Sequence, residues 1–142
     1  MNLTAHFTLE EMTKSNYAEK NNISNTPSQM AIDNLMMLCV LILEPLRSAL
    51  GKPIKINSGF RCKQLNSAVG GVPDSHHLQG LAADIDFKDE KTLKQMLQIL
   101  KSNTHLDRAL VERSKSSKWL HVQLPLKGRP PRHRITSIYV TK

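Results

Sequence analysis

The run Ser75-His76-His77-Leu78-Gln79-Gly80-Leu81-Ala82-Ala83-Asp84-Ile85-Asp86-Phe87 passes from a polar loop carrying two histidines into an alternating segment. From Leu81 to Phe87 it reads as a strand. A period of two puts Ala82, Asp84 and Asp86 on one face and turns Ala83, Ile85 and Phe87 to the core. Asp84 therefore stands on the open face, seven residues after His77, and Gly80 lets the loop between them fold back close to it. A later segment, Trp119 to Leu124, points Leu120, Val122 and Leu124 inward and leaves Trp119, His121 and Gln123 on the opposite face. Asp84 and His121 meet if the two strands lie in one sheet. Two imidazoles and one carboxylate hold a divalent metal and leave a position open for water, which is the arrangement of a catalytic ion.

The remaining elements fall around this pair of strands. Thr8 with Glu11 forms a capping box for a short first helix. Thr26-Pro27-Ser28-Gln29 starts a second, with Thr26 as cap and Pro27 in the first helical position. Met30, Leu35, Leu38, Ile42 and Leu46 follow at a helical period. Pro45 should kink this helix and Gly51 should end it. Ile54 to Ile56 is a short strand, Ser58 to Arg61 a turn, and Lys63 to Val69 a short helix closed by Gly70-Gly71. Asp89 caps a helix running to about Ser102, with Leu93, Met96, Leu97 and Leu100 as its buried stripe. Arg108 to Glu112 and Trp119 to Leu124 form a hairpin, and Pro130-Pro131 precedes a last strand, Ile135 to Val140. Helices first and strands later imply α+β, with a mostly antiparallel sheet.

The 142 residues suit one domain, with a core of about 6–124 and a basic C-terminal tail and last strand over 125–142. No apolar run reads as a membrane span, and Met1 to His6 lacks the pattern of a secretory signal. Cys39 and Cys62 are too few for a disulfide framework; Cys39 sits in an apolar helix as a buried thiol. Twenty basic against twelve acidic residues give a net charge of +8, which favours polyanions. No zinc-finger spacing and no RNP aromatics are present, so sequence-specific nucleic-acid binding is not expected. Lys127, Arg129, Arg132 and Arg134 form a basic stretch that could hold the protein on an anionic wall or simply be solvated.

Spacing alone does not choose between His76 and His77, nor separate a ligand set from ordinary surface histidines. His6, His105 and His133 read as surface residues, and Asp86 as the partner of a basic neighbour or water. The neighbours of these residues decide. Ser58-Gly59-Phe60-Arg61, Asn66, Val69-Gly70-Gly71, Ser75, His77, Gly80, Ala82, Asp84 and Trp119-Leu120-His121-Val122 together resemble the zinc D-Ala-D-Ala peptidases of the Hedgehog/DD-peptidase superfamily, the LAS metallopeptidases. The opening Phe7-Thr8-Leu9-Glu10-Glu11 with Ser15 is similar to small members, and the resemblance runs to Leu124. It implies zinc held by His77, Asp84 and His121. It also implies helices on one side of the sheet and a zinc cleft on the other.

Relatives in that family place an acidic general base three residues before the last histidine, where this chain has Lys118. A lysine with a pKa near 10.4 is a poor base. Glu112 is the replacement. With Ser114 to Ser117 as the turn, Glu112 faces Trp119 and shares the face of His121, a diagonal neighbour at roughly 7–8 Å. Arg61, matching the family's arginine, is the expected carboxylate clamp and catalytic oxyanion partner, since its planar fork grips a carboxylate with two parallel hydrogen bonds. Ser75 binds substrate or orients the His77 loop, and Trp119 lines the cleft.

The resemblance thus implies a zinc peptidase cutting the peptidoglycan stem peptide, as a D-Ala-D-Ala carboxypeptidase or an L-Ala-D-Glu endopeptidase. It is expected to work as a monomer on the cell wall, reached after cytoplasmic synthesis by phage-type release. Two other readings compete: a zinc-containing binding module of the same fold, which the lysine at position 118 would suit, and a non-haem iron oxygenase, which also uses two histidines and a carboxylate.

Overall fold

The computed structural model describes residues 1–139; Val140, the expected end of the last strand, and residues 141–142 lie outside the described residues. Helix α1 (Leu9–Thr13) opens with the expected box, Thr8 and Glu11 each bonding the other's backbone. A helix not anticipated, α2 (Asn16–Lys20), follows at once, capped by Ser15. Helix α3 (Gln29–Leu38) starts two residues later than its proline suggested. Ser28 is the cap, its hydroxyl accepting from the Ala31 N–H, and Pro27 lies outside the helix.

Pro45 acts upstream of itself. Cys39–Leu43 widens into a π-turn before α4 (Glu44–Leu50), and the Glu44 N–H reaches back to the Cys39 carbonyl. A proline cannot donate to the carbonyl four residues earlier and its ring crowds that oxygen, so the ladder is displaced there. The carbonyl in question, Leu41 O, accepts instead from Asn103 Nδ2 at 2.9 Å. Gly51 ends α4 in the left-handed region (φ 75°), as its type requires.

By length and composition the continuous rod Gln29–Leu50 could cross a bilayer, which the sequence reading did not foresee. Here Ala31, Leu35, Leu38, Cys39, Ile42, Leu43 and Leu46 are buried in the core. They meet Ala83, Ile85 and Phe87, Ala109 and Val111, and Leu120 and Val122 from the sheet, with Leu93, Met96 and Leu100 of α6 (Glu90–Lys101). Burial pushes the Cys39 thiol up to about 12, so it is a packing residue.

The described residues form five strands, β1 (Lys55–Ser58), β2 (Ala82–Asp86), β3 (Arg108–Arg113), β4 (Lys118–Gln123) and β5 (Arg134–Tyr139), in the order β1-β2-β4-β3-β5. All pairs are antiparallel except β3 with β5, which is parallel. The architecture is therefore α+β with a mixed sheet. The register places Asp84 beside His121 and Leu110 opposite His121; Glu112 faces Trp119. Ser114 and Ser117 close the hairpin as expected, with the Ser114 N–H on the Ser117 carbonyl at 2.7 Å. The face away from the helices carries Asp84, His121, Leu110 and Glu112 and lies open beneath the loops on either side of α5 (Lys63–Ala68).

Candidate metal centre

The loop ahead of β2 is built to present one histidine. Ser75 accepts from the His77 N–H at 3.2 Å and caps a single 3₁₀ turn over His76–Gln79. Gly80 ends it at φ 74°, where a side chain would run into the Ala31 carbonyl of α3. The glycine is thus needed for close approach to α3 as well as for the left-handed turn before β2. His77 is buried, and its Nδ1–H donates to the Gly59 carbonyl at 2.6 Å. A carbonyl can only accept, so Nε2 is the ring's free nitrogen in the neutral form, and it faces Asp84 Oδ1 at 3.3 Å.

His121 is fixed by a longer chain. Gln123 Nε2 donates to Asp107 Oδ2 at 2.8 Å and lies 3.3 Å from His76 Nε2. Because a carboxylate accepts only, Gln123 must turn Oε1 toward His121, whose Nε2–H donates to it at 2.7 Å. The remaining nitrogen, Nδ1, faces Asp84 Oδ1 at 3.0 Å. Asp107 is itself held by Arg132, through the backbone N–H, Nε and Nη2 at 2.9–3.1 Å. Burial raises the Asp107 carboxyl, but the bonds from Arg132 and Gln123 outweigh it and hold the group down at about 2.

Ligand atoms of His77, Asp84 and His121 lie within 4.8 Å of one another. Two nitrogen lone pairs thus converge on a carboxylate oxygen, an arrangement that repels itself unless positive charge sits between, as protons on the rings or as a metal ion. Donor type, spacing and the outer hydrogen bonds all fit zinc. Burial alone would raise Asp84, yet the two histidines hold it well below the usual carboxylate range. Burial would lower His121, and its bonds to Asp84 and Gln123 outweigh that and raise it. His76, the rival histidine, stands outside the trio with Nε2 turned to Gln123 and Asp107.

The trio opens into a cleft of about 660 Å³ lined by Arg61, Ser75, Glu112, Trp119 and Arg108, among others. Glu112 is half-buried; burial and then Asp84 raise its pKa, while His121 and the Trp119 indole pull the other way. Its neighbour Arg113 is engaged by Glu90, so Glu112 is not half of a surface ion pair with it. Lys118 sits on the opposite face, over the Phe87 ring and 3.6 Å from Glu90. The residue three before the last histidine therefore has no access to the cleft.

Arg61 is held by its neighbours. Asn25 donates to the Phe60 carbonyl at 3.0 Å and accepts from the Cys62 N–H at 2.7 Å, and the Arg61 N–H bonds the His77 carbonyl. Its guanidinium has a buried Nε with no hydrogen-bond partner. Burial lowers its pKa, and Asp84 and Glu112 counter that. Cys62, which the sequence left without a reading, caps α5 through its sulfur. Asp86 accepts from the Lys88 backbone N–H, not from a basic side chain.

Sequence reasoning missed Asp107, Gln123 and Arg108. Gln123 had a visible signal, since it shares the face of His121. Asp107 had none, because its contacts run between distant segments. Arg132, read as part of a basic stretch, is the partner of a buried carboxylate, while Lys127, Arg129 and Arg134 are exposed.

A stretch of 44 residues is 50% identical to the zinc D-Ala-D-Ala carboxypeptidase of Streptomyces albus G, covering 30% of this chain and 17% of that protein. The chain thus spans only a small part of that relative's length. The model of the peptidase M15 family matches residues 5–123, a range that includes His77, Asp84 and His121 together with Arg61 and Glu112. With most of its length matched, the chain belongs to the peptidase M15 family.

Proposed function

We propose that this chain is a zinc metallopeptidase that hydrolyses an amide bond in the stem peptide of peptidoglycan, within the Hedgehog/DD-peptidase fold. The observation that carries this reading is the convergence of His77, Asp84 and His121 on one point of a cleft that also holds a half-buried glutamate and an arginine without an ion-pair partner among the described residues. The zinc named for the Streptomyces albus G relative suits these three ligands. When bound, zinc supplies Lewis acidity, acidifying water and polarising the scissile carbonyl.

The chain's own groups supply the rest. Glu112 accepts the proton of the attacking water at its carboxylate and returns it to the leaving amine. Its raised pKa brings it nearer the working pH, where a base is most effective. Arg61 offers its orphaned Nε to a substrate carboxylate and fixes the peptide over the trio. Ser75 keeps the His77 loop in place, and Trp119 forms a wall beside Glu112. Lys118 lies on the far face, so its charge does not enter the cleft, which supports Glu112 as the base.

Digestion of purified peptidoglycan by the zinc-loaded protein tests the reading, with new termini identified by mass spectrometry. Release of D-alanine shows a D,D-carboxypeptidase and a new D-glutamyl amine shows an endopeptidase. A zinc-loaded protein that leaves the wall and soluble stem peptides intact refutes it.

A further inference from the structure

The cleft holds a second arginine that the reading above does not use. Arg108 begins β3 on the same face as Leu110 and Glu112, and it lines the cleft. Its guanidinium turns sideways along the sheet to Thr136 of β5, with Nε and Nη2 at 3.4 and 3.3 Å from the hydroxyl. Those are long bonds to a neutral group. Among the described residues no carboxylate lies within ion-pair distance of Arg108, although Asp107, the residue before it, is fully engaged by Arg132 and Gln123. The register sets Arg134 directly beside Arg108 on the neighbouring strand. Directly opposed like charges destabilise a strand pair unless an anion lies between them.

The two cleft arginines sit on opposite sides of the metal trio. Arg61 enters from the loop after β1, at one edge of the order β1-β2-β4-β3-β5, and Arg108 reaches over β5 at the other. Thr136 is level with Leu110 and therefore with His121. Two strand spacings separate it from His121, about 10 Å across the sheet. That is about the span from a reacting carbonyl to the end of a long side chain on the residue just before the one that carries it, in an extended peptide. If Arg61 takes the carboxylate on the leaving side of the bond, the acyl side of the peptide runs toward Arg108. Buried Leu110 gives that end of the cleft an apolar floor, beside which a charge-assisted pair is less screened by water.

We propose that Arg108, flanked by Arg134, is a second carboxylate subsite on the acyl side of the scissile bond. The preferred substrate then carries a free side-chain carboxylate on the residue before the acyl D-alanine. A stem peptide with a diaminodicarboxylic acid at that place qualifies; one with lysine does not. This inference rests on the D-Ala-D-Ala reading for its direction.

The test uses zinc-loaded full chain and three pentapeptides, L-Ala-γ-D-Glu-X-D-Ala-D-Ala. X is meso-diaminopimelate, its side-chain amide, or lysine. A two-point bond to an ionised carboxylate predicts at least about a tenfold preference in kcat/KM for acid over amide, expressed mainly in KM. In Arg108→Gln the acid-to-amide ratio falls to near one, and in Arg108→Lys it is intermediate. Equal rates on acid and amide by the unmutated protein overturn the proposal, as does an Arg108→Gln protein that keeps the preference. Calorimetric binding of the same peptides to zinc-loaded Glu112→Gln separates this from the catalytic reading. If nothing is cleaved but the acid binds tighter in an Arg108-dependent way, the peptidase reading fails and the subsite stands. If acid and amide bind alike, the subsite fails whatever the turnover.

Discussion

Glu112 shows how far one residue could be read before the fold was known. Hairpin register and alternation together fix its face, and the observed pairing with Trp119 is the one the Ser114–Ser117 turn demands. Glu112→Gln keeps the shape and removes the proposed proton acceptor. Turnover should drop by about 10²–10⁴-fold, with zinc affinity measured by chelator competition unchanged. Full activity in that variant would place the base elsewhere. Arg61→Lys keeps the charge and loses the planar fork. Activity on carboxylate-bearing peptides should fall while metal content holds; equal kcat/KM in the two proteins would remove the clamp. Gln123 was legible as a neighbour of His121 and illegible as its anchor, because the partner that orients its amide, Asp107, comes from the bend just before β3. Gln123→Leu leaves the His121 Nε2–H without its acceptor and frees the ring to turn. Zinc affinity should weaken about 10–100-fold, read as a shift in chelator competition, and an unaltered affinity would show that the trio is held without this chain.

At the scale of elements, periodicity located β2, α6 and the hairpin to within a residue or two, since each carries a clean alternation or a capping aspartate. The helix around Pro45 was legible as a place of distortion but not in kind. A π-turn and a borrowed donor from the end of α6 solve the missing N–H, and Asn103 is sixty-two positions away in sequence. Removing that donor with Asn103→Ala should cost about 1 kcal/mol in urea unfolding. The loss should shrink in a Pro45→Ala background, where a backbone N–H can serve the Leu41 carbonyl. An equal loss in both backgrounds would mean that Asn103 acts through some other contact. The parallel pairing of β5 with β3 had no signal in the sequence, because strand direction after a long basic connection is set by tertiary contacts. Asp107 supplies one of them, drawing in Arg132 just before β5 begins.

The whole molecule is a sheet with two unlike faces. One is sealed by α3, α4 and α6, and the other carries three mutually repelling candidate metal ligands, two of them oriented by hydrogen bonds and the third by its strand. Gly59 holds His77 and Gln123 holds His121, while β2 carries Asp84. Folding therefore assembles a site that is incomplete without positive charge, and an ion that binds only the folded chain must stabilise it by mass action. Free zinc at about a hundred times its dissociation constant contributes about 2.7 kcal/mol. For a domain of this size that is a rise in Tm on the order of 10 °C. Chelator should abolish the rise and added zinc restore it. In His121→Ala or Asp84→Ala the melting temperature should respond little to zinc, since a trio short of one ligand binds far more weakly. A Tm in the unmutated protein that is indifferent to zinc and chelator would show that protons, not metal, supply the charge between His77, Asp84 and His121.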